Sequence, residues 1–206
     1  MKVGIASDLP GTGGLFRNIE HNIFYKMLLT RGVINHRIVD FGYLEKAEIL
    51  VEHFFQKLGI YEFCLQSDNV YAELTAYFYS NLSILSPNWI QFTVGDKKFN
   101  LHVNELARII GAKHSKFIPL TVNLEDASRV AYENPNFAQG SKGHLSYSDL
   151  SKRSVILHKI IINCLKPKAA SKTDISKSEI KLIWAILKGQ PFSLPHVIIF
   201  HMYRAL

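Results

Sequence analysis

The segment Trp89–Gly111 (WIQFTVGDKKFNLHVNELARIIG) constrains the fold of this chain more than any other. Its first part reads as a tight β-hairpin. Gly95-Asp96 suits the two central positions of a type II′ turn, where Gly supplies positive φ without steric cost. A two-residue loop fixes the register, so Val94 faces Lys97, Phe92 faces Phe99 and Ile90 faces Leu101. These partners fall on one face, with Thr93/Lys98 and Gln91/Asn100 on the other. Val103, Leu106, Ala107 and Ile110 then recur at helical spacing, and Gly111 ends the run.

The rest of the chain reads mostly as helix. Phe24, Met27 and Leu28 mark one helical face, closed by Gly32. A second helix is expected over about 44–58, with Gly59 at its C-terminal cap. A third follows the capping oxygens of Ser67-Asp68 and runs to about Asn81, with Val70, Leu74, Tyr77, Phe78 and Leu82 as its apolar stripe. A brief helix opens at Asn123 and ends near Pro135. A long one follows Ser148-Asp149 to about Leu165, burying Leu150, Leu157, Ile160, Ile161 and Cys164, and Pro167 stops it. Ser176 and Glu179 form a capping box for the next helix, whose face is Ile180, Ile183, Trp184 and Leu187 and whose end is Gly189. Ser193 and Pro195 open a last helix. The expected fold is mainly α, with one small β-hairpin at about residues 89–102. Residues 1–14 are expected to be a flexible lead and 15–206 a single helical domain. The last helix carries no stop signal, so the domain is expected to be cut short at its C-terminus.

Composition bounds the function classes. Hydrophobic residues make up 48% of 206 positions, enough for a packed core. No apolar run approaches the roughly 20 residues of a membrane helix, and the first residues lack a secretory apolar segment. Cys64 and Cys164 both lie in apolar surroundings, as buried thiols of a reducing compartment do. A nuclear or cytoplasmic location, with no membrane partner, is the expectation. Net charge is +7 and uneven: residues 1–100 hold 9 Lys/Arg and 10 Asp/Glu, and residues 101–206 hold 15 and 7.

Four segments carry a family resemblance: Val70–Leu82 (VYAELTAYFYSNL), Phe92–Phe99 (FTVGDKKF), Val103–Gly111 (VNELARIIG) and Ile175–Pro195 (ISKSEIKLIWAILKGQPFSLP). Together, from about residue 30 to 206, the chain resembles the plant transposon protein domain of retroelement-associated reading frames. It is also similar to the plant mobile domain, which likewise sets a hairpin before a short helix and ranks behind the first family. Asp96-Lys97 departs from the first family's usual turn. The resemblance implies a transposable-element origin and an interaction role, with other element-encoded proteins or nucleic acid as partners. Its motifs are packing and turn motifs, so it implies no active site.

The residues themselves give little sign of chemistry. The nine histidines are scattered and the two cysteines lie a hundred positions apart, which is not metal-ligand spacing. His196 and His201, five apart on a helix, project to different sides. Asp40, Asp68, Asp126, Asp149 and Asp174 fall at expected caps and turns, where they need no catalytic explanation. Gly11-Thr12-Gly13-Gly14 lacks the third glycine of a dinucleotide fingerprint and is followed by no P-loop lysine. No catalytic residue, metal or cofactor is assigned. The best lead is basic: Lys152, Arg153, Lys159, Lys166, Lys168 and Lys172 could hold nucleic-acid phosphates along the long helix and the loop after it. Lysine outnumbers arginine there, which points away from specific base reading.

Overall fold

In a computed structural model the described residues are 19–31, 37–66, 69–94, 97–113, 116–133, 147–166 and 174–205. They form ten α-helices, one π-helical segment and a three-stranded antiparallel sheet. The mainly α fold with a small sheet is therefore as the sequence indicates. The expected lead (residues 1–14), Ser67 and Asp68, the Gly95-Asp96 turn and most of the 134–148 loop lie outside the described residues. Ser67-Asp68 is not the expected cap, because the helix begins only at Ala72, with Tyr71 at its cap position and no side-chain cap hydrogen bond.

The chain opens with α1 (Ile19–Arg31), α2 (Phe41–Lys46), α3 (Glu52–Leu58) and α4 (Tyr61–Leu65). The expected single helix over 44–58 is thus two. Glu48 at φ 60° breaks it, and Val51, fully buried, restarts it. Gly59 ends α3 at φ 64°, as its identity predicts, and its carbonyl accepts from the Lys113 N–H at 3.0 Å.

Helix α5 (Ala72–Ser80) packs along α1 and leads into β1 (Ser83–Ser86), β2 (Trp89–Val94) and β3 (Lys97–His102), in the order β1-β2-β3. The hairpin register is the one the sequence dictates: Val94 pairs Lys97, Phe92 pairs Phe99 and Ile90 pairs Leu101. Phe92 and Phe99 stack with centroids 5.5 Å apart. Two expectations fail nearby. Strand β1 is absent from the expected elements, because four residues of which two are Ser carry almost no alternation signal. On α5, Ala76, Tyr77 and Ser80 are buried, whereas Leu74 is 56% exposed.

His102 caps α6 (Val103–Ile109): its Nδ1 accepts from the Asn104 N–H, and Glu105 reaches back to the His102 N–H. Asn123 caps α7 (Leu124–Ala131), accepting from the Asp126 N–H at 2.7 Å. Helix α8 (Lys152–Ile160) starts later than expected. Its cap is Ser151, because Leu150 is held back in a bridge to Tyr132. It continues as a π segment (Ile161–Leu165), followed by α9 (Lys177–Lys188) and α10 (Leu194–Ala205).

Helix α9 lies at the centre. α3, α7 and α8 all pack on it, and Ile180, Ile183, Ala185 and Ile186 are fully buried. Trp184 and Leu187, expected on its core face, are only partly buried. A smaller cluster under the sheet joins Leu82, Ile90, Val103, Leu106 and Ile199, and so ties α10 to the hairpin and α6.

Candidate functional site

The expected basic surface divides when placed on the fold. Lys152, Arg153 and Lys159 are exposed on α8. Lys152 and Lys159 are seven residues apart and share one side of the helix, and Arg153 stands about 100° round from Lys152. Lys166 is different. Its ammonium, with the side chain 13% exposed, lies 3.0 Å from Glu179 Oε1 and 3.2 Å from Ser178 Oγ. That charge is already engaged within the fold. Lys168 and Lys172 lie outside the described residues.

Glu179, only 1% exposed, is the centre of a buried polar network. It is the third residue of the capping box, so Oε2 accepts from the Ser176 N–H at 2.9 Å. The same oxygen lies 3.3 Å from Nε2 of the fully buried His158. A carboxylate only accepts, so Nε2 donates. Burial alone would raise the Glu179 pKa. The His158, Ser176 and Lys166 hydrogen bonds outweigh it and hold the carboxyl well below the ordinary range. His158 Nδ1 is buried and meets no hydrogen-bond partner. The ring of Tyr147 packs edge-on against it, with centroids 5.4 Å apart. The network joins α8, the end of the π segment and α9; Glu179 and His158 are buried within it, and Lys166 covers them from the solvent side.

The open site is elsewhere. A cleft of about 1000 Å³ lies between α9, α10, the β1–β2 turn and the 117–120 segment. Its floor includes Leu182, Phe192 and Ile199, each buried. At its lip stand Phe117, Phe200 and Tyr203, which are 59%, 59% and 63% exposed. None of the described lining residues is acidic, and Lys166 and Lys181 both contribute to the wall.

One wall holds a hydroxyl–imidazole–amide chain. Asn88 Oδ1 lies 2.9 Å from His196 Nε2, and Ser193 Oγ lies 2.7 Å from His196 Nδ1. The amide oxygen accepts, so Nε2 carries the hydrogen and Nδ1 takes the Ser193 hydroxyl proton in its hydrogen bond. Burial first, and His102 second, push the His196 pKa below its ordinary value, leaving a neutral ring at pH 7. The connectivity is that of nucleophile, base and orienter. Yet Ser193 is 3% exposed and immediately precedes α10, where a hydroxyl serves as a helix cap. The chain fastens the start of α10 to the β1–β2 turn and so holds two walls of the cleft together.

Both cysteines are buried. Desolvation pushes the Cys64 thiol far up, and pushes that of Cys164 to about 11 against the opposing charge of Arg37. Neither is an activated nucleophile. Among the described residues no three His, Cys, Asp or Glu side chains gather as a metal site. No helix of the described residues is long and apolar enough to cross a membrane.

Comparison of the chain with known family models, with curated proteins and with solved structures gives no match.

Sequence patterns alone miss the cleft and most of the Glu179 network. The only advance signal for the cleft is Phe200 and Tyr203, apolar residues three apart on a helix whose core face needs others. Spacing sets His196 and His201 on different sides of the helix and offers no partner for His196, whose partner Asn88 is 108 positions away.

Proposed function

We propose that the chain is a non-catalytic interaction module and that the α9–α10 cleft is its docking surface. The carrying observation is the lip of three aromatic rings, each more than half exposed, over a buried apolar floor. Water-exposed aromatic groups beside a concave apolar surface are the usual raw material of an interface hot spot. The resemblance of the four quoted segments to the plant transposon protein domain supports an origin in a transposable element, with element-encoded proteins as the natural partners. Peptide-library display on the purified chain tests the docking surface. Sequences enriched on the wild type and lost on Phe200→Asp support it. Equal recovery from both proteins overturns it.

A second reading is a nucleic-acid-binding module. It is favoured by Lys152, Arg153 and Lys159, exposed on a stretch, Leu150 to Thr173, without any Asp or Glu. Lys152 and Arg153 also stand in the first turn of α8, where the helix dipole disfavours cations unless an anion is near. Fluorescence anisotropy of labelled DNA and RNA across a salt series tests it. Binding that weakens with salt and is lost when all three residues become Glu supports this reading, and no binding at low salt ends it.

A further inference from the structure

We infer that the occupant of the cleft is an acidic amphipathic helix, with its apolar face against α10 and its carboxylates toward Lys181. This inference rests on the reading of the cleft as a docking surface and adds the chemistry of the partner.

Three observations lead to a helix. The α10 wall runs from His196 to Tyr203, two turns and about 10 Å, the length over which an i, i+3, i+4, i+7 set of side chains makes contact. The buried lining is apolar at Leu182, Phe192 and Ile199, and its buried polar members, Ser193 and His196, are hydrogen-bonded to each other and, through His196, to Asn88. The rings of Phe117, Phe200 and Tyr203 stand on the lip and not in the depth. A small enclosed ligand would fill the floor and leave those rings in water. A helix lying along the cleft covers floor and lip together.

Charge selects the sign of the partner. No described lining residue is acidic, while Lys166 and Lys181 are basic. Glu179 neutralises Lys166 at 3.0 Å. Lys181 is partly buried and forms no ion pair among the described residues. Of the α9 residues on the cleft, Ser178, Lys181 and Leu182, Lys181 alone is charged. A partner with acids flanking its apolar face meets there a cation with no ion-pair partner among the described residues, and a basic partner meets like charge, so Lys181 selects as well as attracts.

The test uses three fluorescein-labelled peptides of about 16 residues, each with Leu at i, i+3, i+4 and i+7. They carry Glu, Gln or Lys on the remaining positions. Binding to the full chain is followed by anisotropy at low and moderate salt. The expected result is tightest binding of the Glu peptide, weakened several-fold by salt. Phe200→Asp should weaken it about tenfold or more, and Lys181→Glu should reverse the preference toward the Lys peptide. Both positions are solvent-accessible, and an unchanged thermal unfolding curve certifies each variant. Equal binding of all three peptides, insensitive to Lys181→Glu, overturns the acidic partner and leaves the docking surface standing. No binding by any peptide overturns the helical occupant; with no display enrichment either, the docking surface falls too. Concentration-dependent dimerisation abolished by Phe200→Asp overturns the inference in favour of a second copy of the chain.

Discussion

The β2–β3 hairpin and the α8–α9 pair are both couples of adjacent elements, but different forces join them. In the hairpin every partner is within 13 residues, from Trp89↔His102 down to Val94↔Lys97, so the turn alone settles who faces whom. Much of the product stays wet, with Phe99 at 43% exposure. Helices α8 and α9 meet through fully buried Leu157, Ile180 and Ile183 and through a carboxylate held by an imidazole and an ammonium. Local pairing can be strongly specified and contribute little. A buried contact contributes far more and is written only in the assembled fold.

Variants can break that contrast. The largest effect is expected from Glu179→Ala, which removes a helix cap and leaves Lys166 and His158 facing an apolar gap. A loss of about 3–5 kcal/mol in urea unfolding is expected. A loss below about 1 kcal/mol would show that the network is not structural. The pH dependence follows from the same group. Its folded pKa is depressed, so its contribution is complete above the unfolded value near 4.5 and declines as pH falls below that. Wild type should lose stability on acidification in that range, and Glu179→Gln should show a shallower slope; parallel curves would count against the pairing. Ile183→Ala, in the densest part of the core, should cost about 2–5 kcal/mol. Gly59→Val should cost about 1–3 kcal/mol, because Gly59 sits at φ 64° with the Lys113 side chain where a Cβ would go. At the small end, Phe99→Ala should cost no more than about 1 kcal/mol, the scale of one cross-strand pair. A Phe99 loss as large as that of Ile183 would erase the distinction.

What could be read in advance follows the same division. The hairpin register, the Asn123 cap, the Ser176–Glu179 box and the closing glycines 59, 111 and 189 depend on residues close to one another in the chain. All are legible as written. The break at Glu48, the strand Ser83–Ser86 and the exposure of Leu74 depend on what packs from elsewhere. Glu179 is instructive because it is half legible. Its capping role is local and visible in the sequence, whereas its partner His158 is 21 residues away and Lys166 is 13. The cleft is the least legible part, since its walls come from five separate stretches of chain.

The π segment Ile161–Leu165 carries one more consequence. A π turn is an α-helix holding one residue too many. Here the surplus lets Ile160, Ile161, Ile162, Cys164 and Leu165 all turn inward, more than a regular stripe would place there. The Lys166 N–H bonds the Ile161 carbonyl across five residues, where an α turn would span four. Deleting one residue of the surplus, such as the partly buried Asn163, would therefore restore ordinary winding and keep Lys166 turned toward Glu179. The segment acts as slack in the helix: it takes up an extra residue while the ion pair that follows it stays in register.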